Sequence, residues 1–147
     1  MKTITKDILL ADDNLIVHQV NNLGVMGAGL AKQVKEKYPE VFKAYKENSK
    51  IFTKEQLLGK LGICKISDTQ YIVNMYSQDG ISRYKQTTKY DIMEKCIARL
   101  VKFAKEMNYT IAIPYKIGCG LAGGDWETVK AIIEKYDDGR ITIYRKE

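Results

Sequence analysis

The chain is poor in the residues that staple or interrupt a fold. It has three cysteines, Cys64, Cys96 and Cys119, widely separated and without a CxxC pair. An odd number at that spacing implies neither a disulfide framework nor a zinc site, so reduced thiols are expected and no metal or cofactor is called for. No apolar run approaches the roughly 20 residues that span a bilayer, and Met1-Lys2-Thr3-Ile4-Thr5-Lys6 opens no signal-peptide hydrophobic segment. A cytoplasmic location without a membrane partner is the expectation. Proline occurs twice, at Pro39 and Pro114, and no linker, internal repeat or low-complexity tract divides the chain. One domain over residues 1–147 is expected, long enough to bury a core.

Hydrophobic residues make up 45% and charged residues 29%, the balance of a globular protein. The net charge is +6, from 24 Lys+Arg against 18 Asp+Glu, with much of the excess in residues 32–60 and in Arg145-Lys146. This suits an anionic ligand and equally an ordinary lysine-rich solvated face, because basicity alone identifies no anion.

Residues 14–20 (NLIVHQV) form a short β-branched apolar run ending at Asn21-Asn22, which reads as a buried strand. In residues 28–38, Leu30, Ala31, Val34 and Tyr38 recur at helical spacing, Pro39 closes the segment, and residues 40–47 read as a second short helix. Residues 60–66 and 70–76 flank Ser67-Asp68-Thr69 and read as a hairpin. Residues 90–107 carry Ile92, Met93, Cys96, Ile97, Leu100, Val101, Ala104 and Met107 on one helical face. A strand at 110–115, a helix at 126–136 and a strand at 141–144 complete the pattern. Strands alternating with helices predict an α/β domain, a largely parallel or mixed sheet with helices on both faces and ligands at the carboxyl ends of its strands.

Two segments leave a strand at that end and enter a helix, and both are rich in glycine. One is Asn21-Asn22-Leu23-Gly24-Val25-Met26-Gly27-Ala28-Gly29, and the other runs from Lys116 through Gly118-Cys119-Gly120-Leu121-Ala122-Gly123-Gly124 to Asp125. Glycine allows positive φ and close backbone approach, so successive N–H groups can cradle a phosphate at a helix N-terminus. A single loop of this kind is more often a tight turn; two at matching sheet positions favour the cradle. The spacing G-x-x-G-x-G is not the dinucleotide fingerprint, and no nucleoside-triphosphate loop is present.

Asp7-Ile8, the strand leading into N-N-x-G-x-x-G-A-G-L-A, and Ile113-Pro114 followed by I-G-C-G-L resemble the macrodomain family over nearly the whole chain. They are most similar to its small ADP-ribose-1″-phosphate-processing members and to the terminal ADP-ribose glycohydrolase group. The resemblance implies a three-layer α/β/α macrodomain with a mixed, largely parallel central sheet and a surface cleft for ADP-ribose. It implies that Asp7 and Ile8 meet the adenine, although the family's glycine before this pair is Lys6 here. Asn21, Asn22, Gly24, Met26, Gly27 and Gly29 would flank the distal ribose, and Gly118, Cys119, Gly120 and Leu121 would wrap the diphosphate through backbone donors.

Hydrolysis beside the distal ribose needs a group that activates water or attacks directly. Asp125 reads either as a helix N-cap or, through the L-A-G-x-D-W pattern of phosphatase-like members, as a catalytic carboxylate. His18, the only histidine, is a second candidate, paired with Asn21 as H-x-x-N, or else a core residue supporting the loop from below. Strand alternation sets His18 on the face of Ile16 and Val20, opposite Asn21. Glycohydrolase-like members use a lysine and an aspartate after Gly-Leu. Here Ala122 stands at the latter position, and Lys85 and Lys89 read as surface lysines. Tyr84, Tyr90 and Tyr144 could stack on adenine or lean over a ribose, with Tyr144 the one kept as a ligand candidate; Trp126 reads as a helix anchor.

The leading expectation is hydrolysis of ADP-ribose 1″-phosphate to ADP-ribose and phosphate. The alternatives are a mono-ADP-ribosyl hydrolase acting on modified protein or nucleic acid, and a reader that binds ADP-ribose without turnover. Salt-sensitive, non-specific nucleic-acid binding through the lysine-rich segment ranks last, because no aromatic stacking platform accompanies it.

Overall fold

The computed structural model describes residues 1–146. One six-stranded sheet runs through it in the order β1-β6-β5-β2-β4-β3. The strands are β1 (Lys2–Thr5), β2 (Leu15–Asn21), β3 (Leu61–Lys65), β4 (Tyr71–Gln78), β5 (Ile111–Pro114) and β6 (Ile141–Arg145). All neighbours pair in parallel except β3 and β4, which form the antiparallel hairpin expected around Ser67. The helices are α1 (Gly29–Lys37), α2 (Pro39–Ile51), α3 (Lys54–Leu57), α4 (Tyr90–Met107) and α5 (Trp126–Tyr136). The mixed, mostly parallel sheet between helices agrees with the fold the sequence implied.

The layers follow from side-chain alternation on the central strand. Leu15 and Val17 of β2 pack with Met93, Ile97 and Leu100 of α4 and Val129 and Ile133 of α5. Ile16 points the other way, against Val34 of α1 and Val41 of α2, and Val20 joins Tyr45 and Tyr76 on that same side. With helices on both faces, β2 reads as a nearly continuous apolar run rather than an alternating one. Its carboxyl end and that of β5, its neighbour, supply the two glycine-rich loops.

Several elements differ from the sequence reading. Pro39 does break the helix, but it does so by opening α2 at its first turn, where its fixed φ fits and its missing N–H costs nothing. Helix α2 runs on to Ile51 instead of stopping at residue 47. β1, a three-residue 3-10 turn at Ile8–Leu10 and α3 were not foreseen. The ladder between β2 and β4 also slips after Val20, so that Val20 pairs with Tyr76 and Asn21 with Gln78, skipping Ser77. This irregularity re-aims the strand end. Asn21 accordingly turns its side chain to Tyr45 of α2, on the side of Val20, and not to the opposite face that strict alternation assigns.

Candidate functional site

The two glycine loops meet. A cleft of about 440 Å³ is bounded by Gly27, Ala28 and Gly29 from the first loop and Gly118, Gly120 and Leu121 from the second. Its floor is the end of β2, from His18 to Asn21, and Gln78 and Ile81 close the side next to β4. A second hollow of about 360 Å³ continues from it across Leu30, Pro114, Tyr115 and Lys116, and reaches Asp7, Ile8 and Tyr144. Segments more than a hundred residues apart thus form one trough.

The cleft is built to face negative charge with backbone. Helix α1 begins at Gly29 with no side-chain cap, so the first N–H groups of the helix, which have no intrahelical partner, open at the cleft wall. In the second loop Ile117 and Cys119 donate back to Pro114 and Lys116, while among the described residues the N–H groups of Gly118, Gly120 and Leu121 meet no protein acceptor. Two glycines there are required by geometry. Gly118 has φ +73, and a Cβ on it would come within 3.0 Å of Thr88 Oγ1. A Cβ on Gly124 would lie 2.6 Å from the Gly118 carbonyl oxygen, closer than packing permits. Among the described residues no carboxylate lines the cleft, and Lys116 is the one Lys or Arg in its walls.

Side chains in the floor of the cleft and behind it hold this backbone in shape. The Tyr45 hydroxyl donates to Asn21 Oδ1 (2.7 Å) and accepts from the Val25 N–H (3.0 Å). Asn21 Nδ2 donates to the Val25 carbonyl at 2.9 Å, closing the first loop. Burial pushes the Tyr45 hydroxyl up to about 12, so it remains a neutral donor. Asn22 ties the loop to two other segments: its Nδ2 donates to Lys54 O and Asp79 Oδ1, and its Oδ1 accepts from Gly80 N. In the second loop, Thr88 Oγ1 donates to the Gly118 carbonyl (2.7 Å) and accepts from Gln19 Nε2 (3.0 Å). Ala122 O accepts from the N–H groups of Thr87 and Thr88. Sequence reading did not identify Tyr45, Thr88, Gln19 or Asp79, none of which belongs to a motif.

Of the residues singled out from sequence, His18, Asn21, Gly27, Gly29, Gly118, Gly120 and Leu121 border the cleft, and Asp7, Ile8 and Tyr144 border the adjoining hollow. Asn22, Gly24, Met26, Cys119 and Asp125 border neither. Met26 is a core residue beside Val20, Tyr45 and Tyr76. Cys119 packs against the α4 side of the core, its N–H is committed to Lys116, and burial pushes its thiol up to about 11. Asp7 caps the 3-10 turn through Leu9 N at 3.0 Å. Tyr144 gives its hydroxyl to Asp13, and burial together with that carboxylate raises its pKa. Tyr84 is almost wholly exposed and Lys85 and Lys89 lie outside the cleft wall. Trp126 packs edge-on to Tyr115, anchoring α5 as expected.

The two titratable candidates differ in setting. His18 is buried in the floor, and burial pulls it down to about 4, against the opposing effect of its bond to Asn74. Its Nε2 lies 2.6 Å from Asn74 Oδ1, an acceptor, so Nε2 carries the hydrogen and the ring is neutral. Among the described residues its Nδ1 has no partner, and neither has Asn74 Nδ2. Asp125 is exposed and caps α5: its Oδ2 accepts from Thr128 N (3.0 Å) and Thr128 Oγ1 (2.9 Å), while Oδ1 takes no hydrogen bond within the described residues. Among those residues no three His, Cys, Asp or Glu side chains gather as a metal-ligand set, and no helix is long and apolar enough to cross a membrane.

An α/β/α domain whose glycine loops bring free backbone donors together at the carboxyl ends of two adjacent parallel strands is an anion-binding cleft of a defined class. The Macro domain family model matches residues 17–133, and the chain belongs to that family. It is 31% identical over 128 residues to the DNA ADP-ribosyl glycohydrolase of Mycobacterium tuberculosis, a match covering 84% of this chain and 35% of that protein. It is 26% identical over 141 residues to the ADP-ribose 1″-phosphate phosphatase of Lodderomyces elongisporus, covering 88% and 85% respectively. Among solved structures, the macrodomain of Mycobacterium tuberculosis DarG superposes with a TM-score of 0.79 at 28% identity, covering 97% of this chain and 95% of that one.

Proposed function

We propose that the protein is a cytoplasmic ADP-ribose-binding hydrolase that removes the phosphate from ADP-ribose 1″-phosphate. The observation that carries this reading is the convergence of both glycine loops on one cleft whose free donors are backbone N–H groups and whose walls hold no carboxylate among the described residues. In this reading the diphosphate lies between the start of α1 and the Gly118–Leu121 turn, where fixed dipoles neutralise it without reorganisation. The adenosine extends into the hollow at Asp7 and Ile8, and the distal ribose lies over Asn21 and Gly27 at the other end. Asp125, which stands outside the lining at the end of the second loop, is the carboxylate proposed to activate water, through the oxygen its helix cap leaves unused. His18, neutral and buried, shapes the floor beneath the ribose, and Asn21 holds the loop around it. The phosphatase of Lodderomyces elongisporus matches this chain over most of both lengths, which supports the choice of substrate.

A second reading rests on a separate observation, the similarity to the mycobacterial DNA ADP-ribosyl glycohydrolase. There the same cleft holds an ADP-ribose joined to nucleic acid or protein, and hydrolysis releases free ADP-ribose. A lysine nucleophile does not enter either reading, since Lys85 and Lys89 stand outside the cleft. The deciding experiment is a calorimetric ADP-ribose titration followed by assays of the same sample on ADP-ribose 1″-phosphate, ADP-ribosylated DNA and ADP-ribosylated protein. Phosphate release supports the first reading and ADP-ribose release the second. Binding without either product leaves a reader, and absence of binding removes the ligand altogether.

A further inference from the structure

The basic pair Arg145-Lys146, set apart by composition alone, takes no part in the function proposed above. It borders the second hollow together with Lys116, so among the described residues three cations face a space whose lining contains one carboxylate, Asp7. Asp7 is already engaged by Leu9 N, and none of the three cations has a carboxylate partner among the described residues. Two of them share one support: the Arg145 guanidinium lies 4.6 Å and the Lys116 ammonium 5.5 Å from the centroid of the Tyr115 ring. Lys116 also holds φ +59, a left-handed backbone that most side chains avoid, so the chain places a lysine where glycine would be easier.

Lys116 also borders the cleft, but the charge of Arg145 and Lys146 lies at the wrong end for ADP-ribose alone. With the adenosine in the hollow, an orientation that rests on the function proposed above, the diphosphate faces the backbone donors of the cleft. The part of the ligand beside Arg145 and Lys146 is then a neutral base and sugar. Like charges with no carboxylate partner among the described residues repel, and a neutral adenosine offers them a stacking face but no counter-charge. A phosphate supplies it, and a guanidinium beside an ammonium is an arrangement suited to one. We propose that the hollow beside Tyr115 is a second anion subsite, which takes a phosphate ester carried on the 2′- or 3′-oxygen of the ligand's adenosine ribose.

The test is calorimetry on the whole chain with ADP-ribose and ADP-ribose 2′-phosphate. Adenosine 2′,5′-bisphosphate and adenosine 3′,5′-bisphosphate are then compared with AMP to tell the two ester positions apart. The extra phosphate is expected to tighten binding by about 10-fold at low salt, as a charge-assisted contact does, and the gain should shrink as salt rises. In the doubly substituted Arg145→Ala, Lys146→Ala protein, both positions being exposed, the affinity ratio between ADP-ribose 2′-phosphate and ADP-ribose should fall to about 1. If ADP-ribose binds and no adenosine phosphate improves on its parent, or if the double variant keeps the ratio, the subsite is refuted and the cleft reading stands. If ADP-ribose itself fails to bind, the cleft reading fails and the subsite falls with it.

Discussion

Substituting Asp125 by two different residues separates its possible roles. Its Oδ2 accepts from Thr128 N at 3.0 Å and Thr128 Oγ1 at 2.9 Å, the geometry of an N-cap on the 11-residue α5. Alanine removes that acceptor and is expected to cost about 1 kcal/mol, the typical worth of such a cap. For a domain of this size that is a fall of about 2–4 °C in Tm. Asparagine keeps an oxygen in place and caps about as well, so Asp125→Asn should melt within a degree or so of the wild type. Catalysis divides the variants differently. A carboxylate that accepts a proton from water contributes about 10²–10⁴-fold, and neither alanine nor the asparagine amide can do so. If Asp125 activates water, both variants should lose phosphate release from ADP-ribose 1″-phosphate by that factor while still binding ADP-ribose. The assay is phosphate release under saturating substrate, beside a thermal melt of each sample. An Asp125→Asn protein that turns over at the wild-type rate would leave Asp125 as a cap and nothing more. An Asp125→Asn protein that melts as low as Asp125→Ala would refute the account of the cap.

Three further outcomes are expected. Tyr45→Phe removes the acceptor of Val25 N and a donor to Asn21 Oδ1, so it should cost about 1–3 kcal/mol in urea unfolding and weaken ADP-ribose binding as the first loop loosens; unchanged affinity would show that the brace does not shape the cleft. Lys116→Gly relieves the left-handed backbone at φ +59, so stability should hold or rise by up to about 1 kcal/mol while ADP-ribose affinity falls several-fold, and a drop in stability would overturn the argument from strain. His18 is depressed from 6.5 to about 4, so the unfolded chain takes up the proton first as pH falls. Its contribution is therefore complete above about pH 6.5 and is lost on the way down to about pH 4, amounting to about 3 kcal/mol, and His18→Gln should lose correspondingly less stability over that range; parallel losses in the two proteins would sink the assignment.

The elements legible in the sequence were those whose signal is local. Helix α4 declared itself through an apolar residue every third or fourth position over 18 residues, and α5 in the same way, because each buries a single stripe against the sheet. β1 carried no such signal. Three of its four residues are exposed, and what makes it a strand is pairing with Thr142 to Arg145 at the far end of the chain. α3 is a single turn, too short for periodicity, although the capping box of Thr53 and Gln56 marks its start and could have been read. The orientation of Asn21 was hidden for another reason: it depends on a slip in the β2–β4 ladder, a property of two strands together that period-two counting on one cannot reveal.

The site divides along the same line. Glycines could be located from sequence because the backbone conformations they permit, such as φ +73 at Gly118, are excluded for most other residues. The polar side chains near them invited assignment to the ligand, and here local reading misleads. Asn21 and Asn22 spend their amide groups on Val25, Leu23, Lys54, Asp79 and Gly80, and Met26 fills the core. In the proposed reading the anion meets main-chain N–H groups, which exchanging side chains of the lining cannot tune directly. The shape of the cleft is set by Tyr45, Asn22 and Thr88 behind it and by Gln19 in its floor. Changes there alter loop geometry and fold stability through the same hydrogen bonds, so in this protein lost affinity and lost stability should travel together at the braces. They should separate only where a side chain faces the ligand with no loop to support, as at Lys116.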